Sequence, residues 1–101
     1  MSEKTNRMLR SWRIADILTG HEFEGVRNGE LAKSLNVSPA TITTDLKELE
    51  AGGVVERIPE LEDRWRMGPK AIQLFRAHTL GMERLHARVA EMDQRYTRDL
   101  K

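Results

Sequence analysis

Between Ser38 and Glu50 the apolar residues Ile42, Leu46 and Leu49 recur at helical spacing, leaving a second face made of Ala40, Thr41, Thr43, Thr44 and Lys47. Ser38 is a strong N-cap, and Pro39 suits the first helical position, where a backbone N–H has no partner to lose. Gly52-Gly53 ends the segment. The outer face is small and hydroxyl-rich, as a helix entering a narrow concave surface requires.

The same period predicts two helices upstream. From about Thr5 to Thr19, Met8, Leu9, Trp12, Ala15, Ile17 and Leu18 form an apolar stripe that Ile14 widens, with Gly20 as a stop. Arg7, Arg10 and Arg13 sit three apart on the expected outer face, either as phosphate contacts or as an ordinary solvated surface. His21 to Arg27 has no helical period and reads as a connection, with Phe23 or Val26 tucked against the core or in a short strand. Asn28 then caps a short helix, Gly29 to Leu35, with Leu31, Ala32 and Leu35 facing inward. Ala32 is small where two helices would cross, Asn36 tolerates the left-handed bend between them, and Val37 plugs the corner. Gly29 to Ala51 is therefore a helix-turn-helix.

Downstream the period changes to that of strands. Val54-Val55-Glu56-Arg57-Ile58 is a β-branched run, Pro59 to Asp63 supplies turn residues, and Arg64-Trp65-Arg66-Met67 alternates polar and apolar side chains. A two-stranded hairpin follows, with Val54 or Val55, Ile58, Trp65 and Met67 over the helices and Arg57, Arg64 and Arg66 projecting outward. Such a hairpin directly after the second helix is the wing of a winged helix, and outward arginines suit phosphates or a minor groove. Glu60, Glu62 and Asp63 argue against the hairpin tip lying on DNA.

Pro69 starts a last helix, with Ala71, Ile72, Leu74 and Phe75 packing back on the domain. Phe75, Met82, Leu85, Val89, Met92 and Tyr96 then fall three and four residues apart, the spacing of a helical seam. A continuous helix from Pro69 to Asp99 would extend ~45 Å at ~1.5 Å per residue, well past a small domain. A second subunit covering Met82, Leu85, Val89, Met92 and Tyr96 is the expectation; a helix bent at Gly81 and folded back is the alternative. The chain divides into a winged helix-turn-helix domain, 1–75, and a helical extension for dimerisation, 76–101. The fold class is mainly α with a small β-hairpin and a long C-terminal helix.

Composition narrows this only a little. The 101 residues carry 17 Lys and Arg against 16 Asp and Glu, so any basic surface must come from how charges are distributed. No apolar run approaches the ~20 residues of a membrane span, the start lacks a signal sequence, and cysteine is absent, so no membrane partner and a cytoplasmic location are expected. His21, His78 and His86 lack the company a metal needs, with the last two separated by two helical turns, and no nucleophile-base pair or phosphate loop stands out. No metal, no cofactor and no enzymatic activity are expected.

The order Glu30-Leu31-Ala32-Lys33-Ser34-Leu35, Val37-Ser38, Thr41-Ile42, Leu46, Leu49 to Arg57, then Arg64-Trp65-Arg66-Met67-Gly68-Pro69-Lys70, resembles the DNA-binding domain of the IclR family of transcriptional regulators. Thr41 to Glu50 also resembles the DeoR family. In those relatives the position of Thr44 is often basic and that of Asn36 often glycine. The resemblance spans roughly Ser11 to Leu74 and implies double-stranded DNA binding and transcriptional control, without a counterpart of those families' effector-sensing domain.

The expected function is that of a homodimer with one recognition helix per subunit in the major groove. Ser38 and Ala40 permit close approach, Thr41, Thr43, Thr44 and Lys47 touch bases or phosphates, and Arg57, Arg64 and Arg66 touch the backbone or minor groove. Lys47 is outnumbered by Asp45, Glu48 and Glu50, so a second reading stays open: a winged-helix adaptor that binds a protein partner and has little DNA affinity.

Overall fold

A computed structural model describes residues 6–99. Thr5, the expected first residue of the opening helix, lies outside this range, as do Leu100 and Lys101 in the C-terminal extension. The element order is α1 (Arg7–Leu18), β1 (Val26–Arg27), α2 (Asn28–Leu35), α3 (Pro39–Ala51), β2 (Val55–Ile58), β3 (Leu61–Met67) and α4 (Pro69–Asp99).

The helix-turn-helix forms as the residue pattern dictates. Asn36 adopts the left-handed conformation at φ 57°, ending α2, and Ala32 is buried. Ser38 caps α3 by accepting the Thr41 amide at 3.1 Å, with Pro39 in the first turn. The cap of α2 differs: Arg27 holds the N-cap position, its amide donating to the Glu30 carboxylate at 3.1 Å, while Asn28 is already helical.

In α1 the buried face runs through Arg10, Ile14 and Leu18, with Ala15 and Ile17 packed alongside. Met8, Leu9 and Trp12, expected on the inner stripe, are exposed, Met8 at 81% and Trp12 at 70%. The reason lies in α3: Asp45 needs a cation, and supplying it with Arg10 rotates the first turns of α1 so that the Met8–Trp12 side faces out.

The sheet has three strands, not the two of a simple hairpin. β1 adds to the outer edge of β3, giving the antiparallel order β1-β3-β2, with Val26 opposite Trp65 and Val55 opposite Met67. Only Pro59 and Glu60 form the turn, Glu60 at φ 71°; Leu61 to Asp63, expected in the turn, belong to β3, where an irregularity interrupts the pairing after Arg57.

Trp65, Val55 and Met67 cover a core of Ile14, Leu18, Leu31, Leu35, Ile42 and Leu46. Trp65 also donates its indole N–H to Asn28 Oδ1, and Asn28 Nδ2 donates to Thr43 Oγ1 at 3.2 Å. One amide thus ties the sheet to both helices of the motif.

Gly25 carries β1 into place. At φ +68° it adopts a conformation that costs an L-residue about 1–2 kcal/mol, and a Cβ there would sit 2.8 Å from the Trp65 carbonyl oxygen. Gly25→Ala is expected to lower stability by about 2–4 kcal/mol, the left-handed cost plus overpacking against backbone. Gly20→Ala, at φ +93° with nothing within 4 Å, supplies the control and costs only the conformational part. Urea denaturation of both variants separates the two contributions; equal losses would mean that the strand contact contributes nothing.

The wing runs straight into α4. The Gly68 amide donates to the Val54 carbonyl at 2.7 Å and the Lys70 amide to the Gly53 carbonyl at 3.0 Å, fixing the start of α4. Ala71 is buried against the domain; Ile72, Leu74 and Phe75, expected to pack back, are about half exposed. α4 is continuous through Gly81 and gives the molecule a long axis of 67 Å, so it does not fold back on its own domain. Among the described residues, no helix is long and apolar enough to cross a membrane.

Candidate nucleic-acid interface

Helix α3 sorts its residues by what lies behind them. Ile42, Asp45 and Leu46 are buried, Thr41 and Thr43 are half-buried, and Ala40, Thr44, Lys47 and Glu48 are exposed. Ala40, Thr44, Lys47 and Ala51 recur at helical spacing along one open face, with Ser38 at its head. The hydroxyls divide further. Thr41 Oγ1 lies 2.9 Å from Ser38 Oγ within the cap, and Thr43 Oγ1 accepts from Asn28. Thr44 Oγ1 donates to the Ala40 carbonyl at 3.1 Å, which leaves its methyl group and oxygen lone pairs for an incoming surface. The open face is thus narrower than the threonine pattern predicts: Thr44 and Lys47 stand on it, while Thr41 and Thr43 build the turn.

The acidic residues that crowd Lys47 have partners. Arg10 approaches the Asp45 carboxylate through two nitrogens, Nε at 2.5 Å and an Nη at 3.1 Å, and both side chains are nearly inaccessible to water. Arg7 adds a contact to Asp45 at 3.5 Å and a salt bridge to Glu48. The row Arg7, Arg10 and Arg13 is therefore not a common outer face: Arg10 is a core residue, and Arg7 neutralises α3. Two of the three carboxylates of the helix are compensated from α1, and Glu50 lies 3.7 Å from Arg57.

The wing arginines also part company. Residues opposite one another in an antiparallel ladder share a face, and Arg57 stands opposite Trp65. Its guanidinium carbon lies 4.9 Å from the centroid of the indole, a cation–π contact on the helix-facing side of the sheet. The expectation that Arg57 projects outward with Arg64 and Arg66 is corrected on this point. Arg66, opposite Glu56, is held by it at 2.8 Å on the outer face. Arg64 donates to the Glu24 carbonyl at 3.1 Å, pinning the loop before β1. Arg27 pairs with Arg64 across the ladder and adds a basic residue to that face, with Asp63 3.7 Å away. Pattern reasoning missed Arg27 because a two-residue strand has no period to detect.

In the same loop, His21 Nδ1 lies 2.7 Å from Glu24 Oε2, and this hydrogen bond, with the nearby backbone, holds the Glu24 carboxyl below its ordinary pKa. Among the described residues, no three His, Asp or Glu side chains gather as a metal ion requires.

Phe75 and Leu74 of α4 face Trp12 and Ala15 of α1 across an apolar groove of about 280 Å³, floored by Val54 and Met67. Beyond it, Met82, Leu85, Val89, Met92 and Tyr96 are all exposed along α4, between 39% and 61%.

A family model described as "MarR family" matches residues 17–65, just under half of the chain. Among solved structures, a mutant of S. aureus MepR bound to an oligodeoxyribonucleotide superposes with a TM-score of 0.56 at 19% identity, covering 81% of this chain and 62% of that one. A second S. aureus MepR mutant gives 0.53 at 17% identity, over 82% and 64% of the two chains. A mutant of Lactococcus lactis ZitR in apo form gives 0.54 at 22% identity, over 91% and 70%. The chain therefore spans less than two thirds of the length of the two MepR chains. At these identities the likeness is one of fold, the winged helix. No curated protein matches. The family match falls on MarR, so the motif resemblance to the IclR and DeoR families is corrected. The residues that carried it, Leu31, Ala32, Leu46, Gly53, Trp65 and Gly68, are those that the packing of this fold itself demands.

Proposed function

We propose that this chain is a winged-helix transcriptional regulator that binds double-stranded DNA as a homodimer, with α3 in the major groove and the wing on backbone or minor groove. The observation that carries this reading is the open face Ala40–Thr44–Lys47, kept narrow at its head and relieved of acidic charge by Arg7 and Arg10. A helix presenting small side chains, one lysine and neutralised carboxylates can approach a phosphate-lined groove; the same helix with Asp45 and Glu48 unpaired would be repelled. The match to the MarR family and the fold shared with a DNA-bound MepR mutant support the same class.

Within this reading Ser38 and Ala40 permit close approach, and Thr44 offers a methyl group to thymine and an oxygen to donors. Thr41 and Thr43 act chiefly by setting the pitch of α3. Lys47 contacts phosphate, and Arg64 and Arg66, with Arg27 beside them, supply the basic face of the wing. Arg57 acts at the sheet edge near the end of α3. Residues 1–75 form the DNA-binding unit and 76–101 the arm that joins two copies.

Lys47→Ala and Arg64→Ala should each weaken binding to all sequences and flatten the dependence of log K on log salt by roughly one unit. Salt titrations monitored by fluorescence anisotropy test this; slopes identical to that of the parent protein would remove both residues from the interface. Selective retention of genomic fragments in a mobility-shift assay supports the regulator. Absence of retention at low salt favours the protein-binding adaptor.

A further inference from the structure

From Ala71 onward one face of α4 repeats with a strict alternation of four and three, Ala71, Phe75, His78, Met82, Leu85, Val89, Met92 and Tyr96, apolar at every position but His78. Ala71 is buried against the domain, so the available seam runs from Phe75 to Tyr96, ~33 Å or roughly three heptads. We infer that this seam is closed by the same seam of a second copy, the two α4 helices running parallel and in register. The inference rests on the homodimer of the proposed function and specifies how its arms pair.

Charge decides the direction. In heptad terms Phe75, Met82, Val89 and Tyr96 take the a positions, and Ala71, His78, Leu85 and Met92 the d positions. Arg88 then precedes an a residue, at g, and Asp93 follows a d residue, at e. Five residues apart, these two cannot meet within one helix, where partners lie three or four apart. In a parallel, in-register pair, g of one helix faces e of the next heptad on the other, so Arg88 meets Asp93 of the second copy twice by symmetry. Among the described residues, no side chain of α4 has an ion-pair partner within the chain, so both groups are available.

The antiparallel pairing with full overlap breaks the Arg88–Asp93 pair, leaving Arg88 opposite Gly81. It sets Leu74 against Arg95 and Ile72 against Asp93, placing charge beside apolar surface on both sides. In the core it sets His78 against Val89, stranding a polar ring opposite a hydrocarbon, which costs free energy when the layer is desolvated. In the parallel register His78 meets its own copy, and a neutral imidazole carries one donor and one acceptor nitrogen, enough for a mutual hydrogen bond. A single polar layer of this kind specifies register in two-stranded coiled coils. The parallel direction also puts both winged domains at one end.

The absence of cysteine makes the orientation directly testable. His78→Cys and Val89→Cys variants, mixed and equilibrated in a glutathione redox buffer, should form 78–78 and 89–89 disulfides, because parallel chains separate positions 78 and 89 by ~16 Å along the axis. Predominance of the mixed 78–89 disulfide would overturn the parallel arrangement while leaving the homodimer and DNA reading intact. In sedimentation equilibrium, Arg88→Glu and Asp93→Arg should each weaken the dimer by roughly tenfold, and the double charge swap should restore it. Failure of the swap to restore affinity overturns the g–e′ pairing. A parent protein that is monomeric at every concentration overturns both this inference and the homodimer, whereas a mobility-shift assay on that same sample reports DNA binding separately.

Discussion

Replacing Asp45 by alanine is expected to destabilise the protein by about 3–5 kcal/mol, the cost of removing the carboxylate from a buried ion pair that accepts two Arg10 hydrogen bonds. A domain of 101 residues commonly has roughly 5–15 kcal/mol in total, so the variant would lose a large part of its stability and melt at least about 10 °C lower. The physical reason is burial: Arg10 and Asp45 are 3% and 4% exposed, and the guanidinium stays in the core when its partner goes. Arg7 reaches Asp45 from the surface at 3.5 Å and cannot replace the missing charge, being a cation itself.

The double variant Arg10→Met with Asp45→Leu should recover most of the loss, because two apolar side chains of similar size take both charges out of the core. Thermal melts followed by circular dichroism at 222 nm check both. A loss below about 1 kcal/mol for Asp45→Ala would mean that the pair is solvated and does not position α3.

The second large effect is expected on assembly. With Leu85→Asp and Val89→Asp together, two carboxylates enter the middle of the α4 seam, and the protein should be a monomer by light scattering at concentrations where the parent is a dimer. α4 makes few contacts with the domain beyond Ala71, so the winged helix should keep its melting transition. Its affinity for a two-fold symmetric site should fall by about 10²–10⁴, since each half-site is then bound without the effective concentration that a linked partner provides. Monomers that bind the symmetric site as tightly as the parent would sink the claim that dimerisation sets affinity.

Much of the helix-turn-helix could be read from residues alone because its determinants are local. Ser38-Pro39 marks the start of α3, Asn36 the left-handed bend and Gly52-Gly53 the exit, and each acts through the conformation of its own few residues. The apolar stripe of α4 was equally legible, since its period is a property of one uninterrupted helix. What escaped were long-range partnerships. Arg10 has the same side chain as Arg7 and Arg13, and nothing in their spacing distinguishes the one that enters the core to meet a residue 35 positions away.

The sequence by itself therefore determined the helix-turn-helix, the wing, the hydroxyl-rich face of α3 and the heptad stripe, because backbone propensity and periodicity are written within a turn or a strand. Only the tertiary structure decided which side of each element does what. Packing α1 on α3 drew Arg10 inward and left Met8 and Trp12 outside. The ladder register carried Arg57 to the Trp65 face and away from Arg64 and Arg66, and it added β1 with Arg27. The common reason is that a charge's role depends on what faces it across space, and that is settled only when separate elements meet.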